Sequence, residues 1–255
     1  MNNRSTPYDA PELYDLVLGG LDFDLPFWLQ TGREAGGPVL DLGCGTGRVL
    51  LPLLEAGVDA DGVDSSRAMI GLARRKARAK GFRPRLSVAD MRRFTMPRRY
   101  ARILLAFNTF AHAGTTEAQL ATLGRCRAHL RRGGAVVVHM SYPGRGYWAE
   151  PDGKPVLEIE AVRAADGHLF KMWDTRTKDV VGQCQRSEIE IRELTADRTP
   201  VAAHHFRTSQ RWVYRFELEL LFRLAGFARF EVFGGFSGEP LERDDQQMVA
   251  WAWRA

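Results

Sequence analysis

The sequence predicts an α/β fold, a parallel β-sheet with helices on both faces that carries an inserted antiparallel β lobe. Three observations predict it. Between residues 38 and 141 short branched runs bounded by Gly, Asp or Pro alternate with helical patterns, as parallel sheets require. After about Tyr142 the rhythm changes to longer strand-like runs joined by turn residues. From residue 213 the helical period returns, so the insert is a lobe mounted on one domain.

The strand candidates of the first region are "PVLDL" at 38, "VDADGVD" at 58, "RLSVAD" at 85, "ARILLAF" at 101 and "AVVVHM" at 135. Helix candidates fill the gaps at Val49 to Ala56, Ser66 to Lys80 and Thr116 to Leu130, the last with Thr116 and Gln119 at capping-box spacing. The gap between Asp90 and Ala101 is too short for a helix. In the insert, "PVLEIEAVRA", "HLFKMWDT", "QRSEIEIREL" and "VAAHHFRTSQRWV" read as strands separated by turn residues such as Asp166-Gly167 and Asp197. Phe216, Leu220, Leu221 and Leu224 then share a helical face that Gly226 is placed to end, before strands in "FARFEVFGG" and "QQMVAWAWRA". The expected division is a helical cap over 1–36, a core over 37–141, the lobe over 142–212 and a return to the core sheet over 213–255.

At 255 residues and 45% apolar content the chain can bury a substantial core. No run approaches the roughly 18 apolar residues of a membrane helix, and the first residues do not read as a signal peptide. The expectation is a cytoplasmic protein without a membrane partner. Cys44, Cys126 and Cys184 lack a CxxC spacing, which argues for small packing residues over a disulfide framework or a metal site. The net charge of +5 is unevenly spread: residues 67–102 hold 13 Lys+Arg against 1 acidic residue, whereas 1–66 hold 3 against 11. "RRKARAKGFRPR" could be a nucleic-acid footprint, but Met69, Leu72, Ala73 and Ala77 share one helical face and leave Arg74, Arg75 and Arg78 on a solvated one. No aromatics interleave with these charges for base stacking.

The chemistry centres on "DLGCGTGRV", residues 41–49. A strand running through a glycine turn into a helix aims backbone N–H groups at a ligand. A dinucleotide turn would read GxGxxG, and Arg48 stands where the third glycine belongs; a Walker loop is excluded because no Gly-Lys-Ser/Thr follows. Asp64 ends the next strand, where a carboxylate can accept both hydroxyls of a ribose, and Asp90 ends the one after, where it could accept from an exocyclic amine.

Taken in order, "VLDLGCGTGRVLLPLLEAG", "GVDSSRAMIGLARRKA", "VADMRRF", "LLAFNTFAH" and "LRRGGAVVVHM" resemble the successive motifs of the class I S-adenosylmethionine-dependent methyltransferases, especially bacterial small-molecule members. "YDLVLGGLDFDLPFWLQ" and "RWVYRFELELLFRLAGF" extend the likeness over most of the chain. The resemblance implies a Rossmann-like seven-stranded, mostly parallel sheet with a reversed last strand, and S-adenosylmethionine bound over its first strands. Residue by residue it implies Gly43, Cys44, Gly45 and Gly47 at the methionine part and Asp64 at the ribose, with Ser65 and Met69 beside it. Asp90 and Met91 would meet the adenine, Asn108 would approach the methionyl end, Tyr14 would close over the site, and Asp41 would orient the turn.

Methyl transfer from a sulfonium is an in-line displacement with a neutral leaving group, so alignment alone can supply about 7 to 11 kcal/mol. A protonated amine or a hydroxyl would still need a base, for which His112 and His139 are the candidates. His204-His205 make a poor chelate because adjacent strand residues face opposite ways. The substrate candidates are Tyr142, Tyr147, Trp148, Trp173 and Trp212, suited to an apolar or cationic small molecule. The expected function is N- or O-methylation of a small molecule. Its rivals are a nucleic-acid methyltransferase, weakened by "NTFA" in place of an Asn-Pro-Pro-Tyr run and by the lack of a Pro-Cys nucleophile, and a cofactor-binding scaffold without turnover.

Overall fold

The computed structural model describes residues 5–255. The chain opens with a 3-10 turn at Pro7–Asp9 and helices α1 (Pro11–Leu18) and α2 (Leu25–Arg33). Strands β1 (Val39–Leu42), β2 (Ala60–Asp64), β3 (Leu86–Val88), β4 (Tyr100–Leu105) and β5 (Leu130–Ser141) then alternate with α3 (Leu50–Glu55), α4 (Arg67–Ala79) and α5 (Thr116–His129). A short helix α6 (Arg145–Ala149) leads into β6 (Pro155–Val162), β7 (Leu169–Asp179), β8 (Cys184–Leu194) and β9 (Pro200–Arg211); α7 (Arg215–Leu224), β10 (Arg229–Phe233) and β11 (Gln247–Trp253) complete the chain.

The core sheet has seven strands in the order β10-β11-β5-β4-β1-β2-β3. β1 to β5 run parallel, while β11 is antiparallel to both β5 and β10. The reversed last strand is therefore present. The strand order turns around between β1 and β4, and in open parallel sheets a ligand crevice opens at the carboxyl ends of such a switch point. The four strands β6 to β9 form a separate antiparallel meander in chain order.

Both faces of the core sheet are packed. Val39, Val137 and Val249 lie against Trp28, Leu50 and Leu53 on one side; Leu40, Ile103 and Val138 lie against Leu123, Leu218 and Phe222 on the other. The lobe is seated by Phe170, Met172, Ile191 and Phe206, which surround Val17 of α1. Its far end is held by Arg211, whose guanidinium donates to Gln119 on α5 at 2.8 Å and to Gln183 and Glu217 at 2.6 Å.

The basic α4 keeps Arg74, Arg75 and Arg78 exposed and buries Met69, Ile70, Ala73 and Ala77, as amphipathicity requires. Three expectations need correction. The cap of α5 is Thr115, which accepts from Ala118 N at 3.2 Å, while Gln119 is buried against Arg211 instead of closing a capping box. Helix α7 carries two apolar stripes and buries the other one: Leu218, Leu221 and Phe222 face the core, while Phe216, Leu220 and Leu224 are exposed. Cys44 and Cys126 are buried, but Cys184 lies half-buried on β8, within 2.9 Å of the Ser209 hydroxyl; all three are free. Among the described residues no helix is long and apolar enough to cross a membrane.

Candidate active site

A cavity of about 310 Å³ opens where the carboxyl ends of β1, β2 and β4 face the lobe. Its floor is the glycine turn. Gly43 and Gly45 have φ of +80° and +53°, a region costly for residues with a Cβ. At Gly43 a Cβ would lie 2.4 Å from Thr109 Cγ2, whereas at Gly45 it would meet only open space. Backbone geometry explains the first glycine and access to the cavity fits the second.

Asp64 fixes that turn. Its carboxylate accepts from Gly45 N at 2.9 Å and Ser66 N at 2.8 Å, and it lines the cavity with acceptor capacity left over. Burial pushes its pKa up, against the opposing backbone hydrogen bonds. Asp41, 2% exposed, stands beneath the turn; burial pushes it to about 7, although a hydrogen bond with the Leu50 backbone at the start of α3 favours the ionised form. Arg48, the residue that breaks a dinucleotide fingerprint, is structural. It grips buried Asp24 through two hydrogen bonds of 2.5 and 2.9 Å, donates to Leu21 O at 3.0 Å and covers the Phe107 ring at 5.1 Å. These contacts tie the segment between α1 and α2 to the glycine turn.

After β4, Phe107 and Asn108 both adopt positive φ, +49° and +61°. Such strain persists only where surroundings enforce it, and it clusters at functional sites. His139 is one enforcer. Its Nδ1 accepts from Phe107 N at 3.2 Å and its Nε2 lies 3.0 Å from Gln247 Oε1, so both ring nitrogens are committed to protein partners. Asn108 accepts from Ser141 N at 2.7 Å and donates to its hydroxyl at 3.1 Å.

His112 stands at the end of the same loop and lines the cavity. Its Nε2 is 2.9 Å from the Tyr8 hydroxyl and 3.4 Å from Gln210 Nε2 of the lobe. Burial lowers its pKa and raises those of both tyrosines on this wall, Tyr8 well above the ordinary phenol range and Tyr14 to about 12. With its second hydrogen bond made to the Ser209 backbone, a neutral imidazole can accept from the Tyr8 phenol at Nε2. The Tyr8 backbone is held by Ser66, whose hydroxyl donates to Tyr8 O at 2.8 Å.

The structure gathers Tyr14, Asp41, Gly43, Cys44, Gly45, Asp64, Ser65, Met69, Met91, Asn108 and His112 around the cavity. Gly47 belongs to the turn without lining it. Asp90 is turned outward, its carboxylate held by Arg92 through Nε and backbone N–H and thereby kept below the usual range, so Ala89 and Met91 represent that strand end. His139 lies behind the loop, 1% exposed. The substrate aromatics are placed elsewhere. Trp148 donates to Pro143 O at 2.9 Å and packs edge-on to Trp212 and Tyr147; Tyr142 packs on Tyr214; Trp173 lies under Arg192 because strand alternation turns it away from Met172 and Asp174. Tyr147 and Trp148 thereby pack α6 against Trp212 at the end of the lobe. Missed by sequence reasoning were Tyr8 and the alternate lobe residues, Asp174, Arg176, Ser187, Thr208 and Gln210 among them. Period-2 counting of β7 to β9 could have found the latter as one face.

Comparison with known proteins agrees with this arrangement. Residues 39–134 match the model of a methyltransferase domain. The chain is 29% identical to the cypemycin N-terminal methyltransferase of a Streptomyces species, over 94% of each chain. It is 28% identical to the dTDP-3-amino-3,6-dideoxy-alpha-D-glucopyranose N,N-dimethyltransferase of Streptomyces fradiae, over 91% of this chain and 89% of that one. The CcbJ methyltransferase of Streptomyces caelestis shares its fold with a TM-score of 0.76 and 23% identity over 98% of both chains. The open approach at Gly45 and the unfilled acceptor capacity of Asp64 fit S-adenosylmethionine, which needs close backbone contact at its amino-acid end and a carboxylate at its ribose. Residues 39–134 thus carry a methyltransferase domain, and the full-length relatives that the chain resembles are methyltransferases.

Proposed function

We propose that the methyl group goes to an amine nitrogen of a small polar acceptor, with Tyr8 and His112 as the proton-accepting pair. Gly43, Cys44 and Gly45 hold the amino-acid end of the cofactor, Asp64 its ribose and Met69 and Met91 its base, with Tyr14 and Asn108 closing the sides. Bound there, S-adenosylmethionine would supply a methyl carbon on a sulfonium with a neutral thioether as its leaving group. The acceptor nitrogen must offer a lone pair. Bound as an ammonium ion, it releases a proton to the Tyr8 oxygen while the Tyr8 hydroxyl proton passes to His112 Nε2.

The observation that carries this reading is the 2.9 Å contact between Tyr8 and His112 on the cavity wall, with His112 held neutral by burial. A neutral imidazole at that position offers a nitrogen lone pair to the relay. Two relatives, acting on a peptide N-terminus and on an amino-sugar nucleotide by their names, support nitrogen as the receiving atom. The test supplies methyl-labelled cofactor with an amino-sugar nucleotide, a peptide with a free N-terminus and their hydroxyl counterparts, followed by product analysis. Label on nitrogen is the expected result; label only on oxygen overturns the proposal.

A further inference from the structure

The cavity face of the lobe is divided. Met172, Ile191 and Phe206 are apolar and seat α1. Next to them stands Asp174, 8% exposed and lining the cavity, with two protein donors on one oxygen: Arg176 Nε at 3.0 Å and Ser187 Oγ at 3.1 Å, both to Oδ2. Its Oδ1 is buried and has no hydrogen-bond partner. A buried carboxylate oxygen left unpaired costs about 1–3 kcal/mol or more, so a native structure that keeps one has a use for it.

The charge balance indicates what kind of partner is missing. Arg176 is shared among Asp174, Glu150 at 2.6 Å and Glu158 at 2.8 Å. One guanidinium faces three carboxylates, and this end of the cavity keeps a negative excess that favours a hydrogen-bond donor, above all a cationic one. Burial raises the pKa of both Asp174 and Glu158, against the opposing attraction of Arg176.

We infer that Asp174 is a specificity residue, accepting through Oδ1 a hydrogen bond from a second donor group on the acceptor, a hydroxyl or ammonium other than the nitrogen that is methylated. The inference rests on the amine reading above. The sheet register brings the two groups to one stretch of wall. Ser187, which donates to Asp174 at 3.1 Å, pairs directly with Thr208, and Thr208 hydrogen-bonds Tyr8, so the Asp174 carboxylate and the Tyr8 hydroxyl stand within reach of a single small acceptor such as a six-membered ring bearing two donors.

Three matched amines test this with the intact enzyme: cyclohexylamine, trans-4-aminocyclohexanol and trans-1,4-diaminocyclohexane, each assayed for labelled methyl transfer. The expected wild-type kcat/KM favours the two bifunctional amines over cyclohexylamine by at least about tenfold. In D174A both preferences fall to near one. In D174N, which keeps a neutral acceptor oxygen, the preference for the aminocyclohexanol is partly retained and that for the diamine is lost. Melting temperature and S-adenosylhomocysteine affinity establish that both variants are folded. Equal turnover of all three amines by the wild type, or unchanged preferences in both variants, overturns the role of Asp174 and leaves the amine reading standing. Turnover of none of the three, with S-adenosylhomocysteine bound normally, sinks the amine reading and this inference together.

Discussion

The two walls of the cavity are built on different principles. The core wall leans on backbone: Gly43 and Gly45 at positive φ, and two carboxylates, Asp41 and Asp64, that accept from backbone N–H groups. The lobe wall is side chain: alternate residues of β7 to β9 on an ordinary antiparallel sheet, with Asp174, Arg176 and Ser187 linked to one another. Backbone sites tolerate few changes because the chain path is itself the contact. Side-chain sites can be altered one residue at a time. On the proposed reading, the core holds the methyl donor, the invariant half of the reaction, and the lobe meets the acceptor, the variable half.

Predictions can break or sharpen that division. The largest effect expected is on turnover: His112→Ala lowers kcat by about 10²–10⁴-fold, the usual contribution of a positioned base, with S-adenosylhomocysteine affinity retained. A parallel loss of cofactor affinity in titration calorimetry would erase the boundary between the walls. Next is Arg48→Leu, which strands Asp24 as a buried unpaired carboxylate and should cost about 3–5 kcal/mol in denaturant unfolding. A loss under about 1 kcal/mol, the size of an exposed ion pair, would mean that the segment between α1 and α2 is not held by this pair. Asp64→Ala should weaken S-adenosylhomocysteine binding by about 1.5–3 kcal/mol through the lost charged hydrogen bonds. An unchanged Kd removes it from the ribose.

The smallest effect concerns pH. Burial lowers the pKa of His139 below its unfolded value, so the stability it confers is fully present above about pH 6.5 and is lost as pH falls through that value toward the folded pKa. The loss approaches at most about 1.4 kcal/mol per pH unit for one group. His139→Gln, which can still face Phe107 N and Gln247, should flatten the acid side of the stability profile. An identical profile would assign the acid loss to other groups.

The core wall was legible in the sequence and the lobe wall was not, for a physical reason. Gly43, Gly45, Asp64 and Met91 are fixed by positions at or just beyond strand ends, and a strand followed by a glycine turn leaves little freedom in where they lie. The lobe residues act through a sheet register that local patterns do not display: Asp174 meets Ser187 only because β7 and β8 pair as they do. Aromatic content pointed to Trp173 and Trp148, yet alternation and packing turned both from the cavity. Tyr8 was hidden for another reason. Nothing in "STPYDAP" indicates that its ring will reach a histidine 104 positions away.

The seven-stranded and four-stranded sheets are hydrogen-bonded separately, and the chain leaves the first at Ser141 and rejoins the frame at Arg215. The consequence is evolutionary. Substitutions at alternate positions of β7 to β9 can accumulate without disturbing any strand pair that supports the glycine turn. If the lobe meets the acceptor as proposed, a change of acceptor needs no change in the strands that carry the methyl-donor turn.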